Sequence, residues 1–366
     1  MAQARAWLAF PYNFEWDPSV YDGADWADRK PGQPFFAQIQ TPGGKLRGKN
    51  AEGWEKIAAA AEAKLGRRTP LEAVKLPPYY PDHPDIRRDW AAYLDSVRMT
   101  DVMVGEVIAR LKREGVLENT LVIFMTDHGI SHARGKQFLY DEGIHVPLVI
   151  AGPGVKAGAV RHDVVEHIDI AALSLAAAQI GVPDYMQARD ILAKDYQPRA
   201  AAFSARDRCD ETVDHLRSVR STRYKYIRNF LPARPHLQPC AYKDAKAILQ
   251  ALRAWHTAGK LNDTQQLLFQ PTRPQEELYD LANDPHEINN LARDPKHAAM
   301  LKTMRGQLDQ WMQKTGDHGR RPEPARMYDS DMALYLDKVK RKGDAAHLKT
   351  LQDNIAQMKR WAKEGK

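Results

Sequence analysis

Between residues 86 and 113 the apolar positions fall at Trp90, Leu94, Val97, Val104, Ile108 and Leu111, mostly three or four apart. That spacing predicts an amphipathic helix with one face on a core. Asp85 stands where an N-cap belongs and Gly115 where a C′ residue would end the helix. Asp101 breaks the stripe, and a carboxylate on a covered face needs a partner; a structural bond to a neighbouring loop and a place beside a reaction site both fit. After the helix, LENTLVIFMTDHG (117–129) gives a turn and then five apolar residues without alternation, the pattern of a strand covered on both faces in a parallel sheet, and VPLVIAG (146–152) gives a second. PFFAQIQ (34–40) reads as a short strand stopped by TPGG, 53–65 as a helix, and LPPYYPDHPD (76–85) as a proline-rich surface connection. A helix is predicted at 167–181, and strands at FSARD (203–207) and across LRSVRSTRYKYIRNF (216–230), the last two joined at Ser221 and Thr222.

Helix alternating with covered strand in the first half, then hairpin-like strands, predicts an α/β fold: a doubly wound, mostly parallel sheet with a smaller C-terminal antiparallel α+β subdomain. The expected divisions are 1–200 for the α/β part, 201–320 for the antiparallel part and 321–366 for a basic tail of surface helices.

The chain has 366 residues, 43% of them apolar and 28% charged, enough for a substantial core. Its net charge of +7 is spread along the sequence without an RNP, zinc-finger or KH pattern, which argues against nucleic acid as a partner. No apolar run approaches the roughly 20 residues of a membrane span. Cys209 and Cys240 have no CxxC spacing and leave the redox compartment open. The opening MAQARAWLAFPYNFEWDPS shows no basic region leading into an apolar one, so no signal peptide is visible.

The chemistry concentrates in TDHGISHARGKQFLYDEGIH (126–145). In open α/β sheets the ligand site lies beyond the carboxyl ends of the strands. Asp127 and His128 occupy that place and offer a carboxylate oxygen and an imidazole nitrogen to a divalent cation. A strand-end Asp alone equally well caps a turn. His132, Arg134 and Lys136 follow at once, and such a mixture suits a tetrahedral dianion, sulfate or phosphate in an ester. Cation and Lys136 would share its charge, and a histidine such as His132 could protonate the leaving oxygen. Gly135 would let the backbone approach closely.

The stretch YLDSVRMTDVMVGEVIARLKREGVLENTLVIFMTDHGISHARGKQFLYDEGIHVPLVI resembles the second half of the catalytic domain of the sulfatase family, within the alkaline phosphatase superfamily. EELYDLANDPHEINNLARDP (276–295) resembles the family's C-terminal signature, and FSARDRCDETVDHLRSVRSTRYKYIRNF is similar to the sulfoglucosamine-sulfohydrolase-like branch. The resemblance implies an alkaline-phosphatase-like fold and a calcium-assisted hydrolase of sulfuric esters or sulfamates on a sulfated carbohydrate. It makes Asp127 and His128 the calcium-ligand pair, where many members have Asp-Asn, and Lys136 the sulfate-binding position. His132 would lie in the active-site loop, Asp101 near the site, and Arg134, Arg206, Asp207 and His215 on the substrate side.

The family's CxPSR or SxPSR nucleophile motif, whose Cys or Ser becomes formylglycine, is not encoded here, and Cys209 is followed by Asp210, Glu211, Thr212 and Val213 instead. The paired N-terminal aspartates and the DPH that usually follows the PFF strand are also missing. The expectation is a sulfatase lacking its N-terminal segment, inactive alone and completed by that segment or by a complementing chain. Family membership would place it in the periplasm or outside the cell. Two alternatives stay open: a phosphodiesterase or phosphonate hydrolase of the same superfamily, and a non-catalytic remnant that binds sulfated glycans.

Overall fold

The computed structural model describes the backbone of residues 2–6, Ser19, and residues 21–319 and 321–366. Strand β1 (Ala2–Ala6) pairs in parallel with β2 (Phe35–Ile39). Helix α1 (Ala51–Leu65) is capped by the Asn50 side chain and closed by Gly66 in the left-handed conformation. Helix α2 (Pro84–Arg113) begins two residues earlier than its stripe suggests, because Pro84 sits in the first turn and His83, not Asp85, caps it. Gly115 follows at φ 68°, as a C′ residue should.

Strand β3 (Val122–Met125) leads through a loop and the single turn α3 (Asp141–Ile144) to β4 (Leu148–Ala151). These two strands pair antiparallel, Val122 opposite Ala151 and Met125 opposite Leu148, so the parallel pairing expected of them is corrected. Their residues are half-buried or exposed, with Met125 at 42% and Val149 at 58%, so one face of the pair lies open. Helix α4 (Asp169–Ala177) follows, shorter than predicted.

The C-terminal sheet takes the order β5 (Ala202–Cys209), β6 (Thr212–Arg220), β7 (Tyr224–Asn229), β8 (Glu276–Asp280), antiparallel throughout. Between β7 and β8 lie α5 (Ala241–Asp244), α6 (Ala247–Thr257) and α7 (Asp263–Gln266). Successive side chains alternate between two cores, as the pleat requires. Val219, Tyr226 and Leu278 meet Leu301, Met304, Leu308 and Met312 of α8 (Ala298–Thr315). Leu216, Ile227 and Tyr279 meet Ile248, Leu249 and Leu252 of α6 together with Ala133, Phe138, Leu139 and Tyr140. The loop after β3 is therefore built into the core of the C-terminal sheet. Helices α9 (Ala325–Arg341) and α10 (Ala345–Lys363) are more than surface helices: Tyr328, Met332, Leu351 and Ile355 form a core between them, and Asn354 reaches the buried Glu211. No helix among the described residues is long and apolar enough to cross a membrane.

Helix α2 departs from its predicted face. Leu94 and Val97 are exposed, whereas Asp89, Ala92, Asp95, Ser96 and Thr100 are buried. Asp95 is satisfied by the Thr69 hydroxyl at 2.6 Å and the Thr69 amide, and Asp101 stands exposed, so its reading as a carboxylate on a covered face is corrected.

Candidate functional site

Asp127 and His128 follow β3 after Thr126 and line a broad cleft with Lys136. The His128 Nδ1 lies 2.7 Å from the Gly129 carbonyl, which can only accept, so Nδ1 carries the proton and Nε2 keeps its lone pair. That Nε2 lies 3.3 Å from Asp127 Oδ2 and makes no hydrogen bond of its own. Burial lowers the His128 pKa, helped by the charges of Lys136 and Lys45 against the opposing pull of Asp127 and the Gly129 bond. The result is a neutral imidazole and a carboxylate presenting one nitrogen and one oxygen side by side.

Lys45, in the single turn Gly43–Arg47, belongs to the same group. Burial lowers its pKa, Lys136 lowers it further and Asp127 opposes both. Sequence reasoning missed it, having marked this segment only for its absent histidine; a lysine in a glycine-rich turn after a strand was the available signal. The turn is fixed by Arg47, whose Nε donates to Asp89 at 3.0 Å. Asp89 also accepts from Trp54 Nε1 at 3.1 Å and lies 2.5 Å from His132 Nε2. One buried carboxylate thus ties together the Lys45 turn, α1, α2 and the loop that carries Lys136.

His132 is consequently not a catalytic group facing the cleft. It is fully buried beside Tyr80, Trp90 and Tyr93, and burial takes its pKa to about 4 despite Asp89. A neutral ring donating from Nε2 to a carboxylate, with no solvent access, cannot pass a proton to a leaving group. Arg134 is corrected likewise: buried, it donates to the carbonyls of His286 at 2.8 Å and Glu287 at 2.7 Å and lies over the Tyr140 ring at 3.7 Å. Arg206 is a brace as well, donating to the Gln137 carbonyl and standing 3.4 Å from the buried Asp214. His215 is buried at the cleft wall, and its charged neighbours are Asp207, Asp214, Arg217 and Arg234, not the Lys136 group. Asp207 is exposed and pairs with Arg217 at 2.7 Å.

The loop's shape depends on glycine. A Cβ at Gly135 would lie 1.9 Å from the Ile130 carbonyl oxygen, the oxygen that accepts the Lys136 amide at 2.7 Å. Gln137, next along, has φ 86°, a conformation that costs a non-glycine residue about 1–3 kcal/mol and persists only where its surroundings enforce it.

Among the described residues no cluster of three or more His, Cys, Asp or Glu could hold a metal ion. Asp127 and His128 therefore fit part of a cation site, since calcium takes about six to eight oxygen ligands and these two supply one carboxylate.

The profile of the Sulfatase family matches residues 3–180, and that of the C-terminal region of N-sulphoglucosamine sulphohydrolase matches 128–234. This chain belongs to the sulfatase family. It is 31% identical over 336 residues to an ulvan-active sulfatase of Formosa agariphila, covering 84% of this chain and 56% of that protein. It is 30% identical over 269 residues to human N-sulphoglucosamine sulphohydrolase, covering 68% and 52%. A solved protein of Bacteroides thetaiotaomicron described as a sulfatase candidate superposes with a TM-score of 0.55 at 20% identity, over 82% of this chain and 64% of that one. The fold is thus the alkaline-phosphatase-like α/β fold of sulfatases with an antiparallel C-terminal sheet. This sulfatase chain spans about half the length of the curated relatives it matches.

Proposed function

We propose that the chain supplies the sulfate-binding half of a hydrolase that cleaves sulfuric esters or sulfamates on a sulfated carbohydrate. The observation that carries this reading is the meeting of Asp127, His128 and Lys136 in one cleft at the end of β3, with Lys45 near enough for its charge to act on that group. Two ammonium groups beside a carboxylate-imidazole pair suit a tetrahedral dianion held partly by a cation. Lys136, and Lys45 beside it, would neutralise the non-bridging oxygens, and Asp127 with the His128 Nε2 would supply two ligands to a calcium ion. That ion, when bound, would contribute Lewis-acid polarisation of the sulfate. The names of the relatives, ulvan-active sulfatase and N-sulphoglucosamine sulphohydrolase, support a sulfated sugar as the substrate class.

The sequence encodes no CxPSR or SxPSR, so turnover needs a nucleophile supplied by the remainder of the family fold, in the same polypeptide or a complementing one. The test is calorimetric titration of this chain with glucosamine sulfates, with and without calcium, beside an assay for released sulfate. Binding that strengthens with calcium and weakens at least about tenfold in Lys136→Ala, without hydrolysis, is expected. Robust sulfate release by the chain alone would overturn the need for a supplied nucleophile. Absence of any binding, or binding indifferent to Lys136, would remove the site.

The His128 nitrogen supports a second reading. Calcium favours oxygen, whereas imidazole suits first-row transition metals, which a phosphodiesterase or phosphonate hydrolase of the superfamily would use. Thermal stabilisation by manganese or zinc but not calcium, abolished in His128→Ala, would favour it.

A further inference from the structure

Lys243 lies in α5 and Lys246 directly precedes α6; both are buried, at 3% and 4% exposure. Neither forms an ion pair among the described residues. Their ammonium groups instead point at the loop after β3. The Lys243 Nζ donates to the carbonyls of His132 at 2.9 Å and Lys136 at 2.6 Å. The Lys246 Nζ donates to the Ser131 carbonyl at 2.7 Å and to Ser131 Oγ at 2.6 Å. Lys246 also stands 4.4 Å from the Tyr242 ring centroid, the ring that Lys136 approaches to 5.6 Å.

Two buried lysines without carboxylate partners are an expensive way to fasten a loop. Departures from ordinary core chemistry concentrate where a site must be held in shape. A second observation points the same way: Gln137, immediately after Lys136, is held at φ 86°. The carbonyls on either side of that strained residue are both gripped, that of Lys136 by Lys243 and that of Gln137 by Arg206. We infer that Lys243 and Lys246 are positioning residues, which fix the backbone of Ser131–Gln137 from beneath and thereby aim the Lys136 ammonium at the bound anion. The anion in this statement rests on the sulfate-binding reading; the hold on the backbone does not.

The test uses the full chain with Lys243→Met and Lys246→Met, which keep length and lose the donors, and Lys243→Arg, which keeps donors. Amide hydrogen exchange across 131–137, read without ligand, is expected to accelerate at Lys136 in the Met variants and to return toward wild type in Lys243→Arg. With inorganic sulfate as the probe, Lys243→Met should weaken binding about tenfold, while adding it to Lys136→Met should weaken binding no further. Unchanged exchange in both Met variants, or a loss of sulfate affinity equally large in the Lys136→Met background, would overturn the assignment. If wild type binds no sulfate, the functional reading fails, and the exchange comparison still decides the positioning role. Should Lys243→Met not fold, Lys243→Gln, with one shorter donor, carries the same comparisons.

Discussion

At the scale of single residues, Asp89 shows how one buried carboxylate can organise a site it does not enter. Burial tends to raise its pKa, but His132, Arg47 and Lys246 outweigh that and hold it charged. Asp89→Ala would leave the donors of Arg47, Trp54 and His132 facing nothing, and is expected to cost about 3–5 kcal/mol. Urea denaturation followed by fluorescence checks this, and a loss below about 1 kcal/mol would mean that the three donors find other partners. Gly135→Ala should destabilise the chain by more than a surface change, about 1–3 kcal/mol, because its Cβ meets the Ile130 carbonyl at 1.9 Å; the same denaturation series reads it. The close approach at Gly135 was legible in the sequence, as were Asp127, His128 and Lys136 as a group. The roles of His132, Arg134 and Arg206 were not. A sequence places these residues a few positions from Lys136 or on a strand nearby, but side-chain direction depends on packing partners brought in from elsewhere in the chain, Asp89 for His132, Gln137 for Arg206, and His286 and Glu287 for Arg134.

At the scale of elements, α2 was legible in extent but not in orientation. Periodicity says which residues share a face, and here two faces competed. The apolar one carrying Leu94 and Val97 is exposed, while the one carrying Asp89, Asp95, Ser96 and Thr100 packs against α1 and the Gly43–Arg47 turn. Small side chains allow that close packing, and the two aspartates are bearable there only because Arg47, Trp54, His132 and Thr69 satisfy them. The α5–α6 segment yields a pH prediction. Burial takes Lys243 and Lys246 each down to about 7, against about 10.4 in an unfolded chain. Between those limits the unfolded chain holds more protons than the folded one, so stability rises with pH from about 7 toward 10 and is lost as pH falls through that window. Denaturation midpoints at pH 7.5 and 9.5 should show this rise in wild type and a flatter one in the Lys243→Met/Lys246→Met double variant. Equal slopes would show that the two amines are not held down.

At the scale of the whole molecule, two pairs of exposed apolar side chains lie on elements of the α/β part. Met125 and Val149 lie on the open β3–β4 pair, and Leu94 and Val97 on the uncovered face of α2. On the proposed reading, in which the rest of the family fold completes the site, these surfaces are candidates for its packing. Val149→Ser and Leu94→Ser are therefore expected to change the stability of this chain alone by no more than about 0.5 kcal/mol. The same changes should weaken its capture by the N-terminal half of the ulvan-active relative, measured by co-purification. A large stability loss in the isolated chain would show those side chains to be core residues already. The sequence by itself determined the place of most elements, the family and the cluster of Asp127, His128 and Lys136, because turn chemistry, apolar runs and motif spacing are local properties. Only the tertiary structure decided that β3 and β4 pair antiparallel, that Lys45 joins the cluster, and that His132 turns inward to Asp89 while two distant lysines hold the loop. Those outcomes depend on which surfaces meet and which buried polar groups find partners, and such contacts, 43 positions apart for His132 and Asp89 and 111 for His132 and Lys243, leave no periodic trace in a single chain.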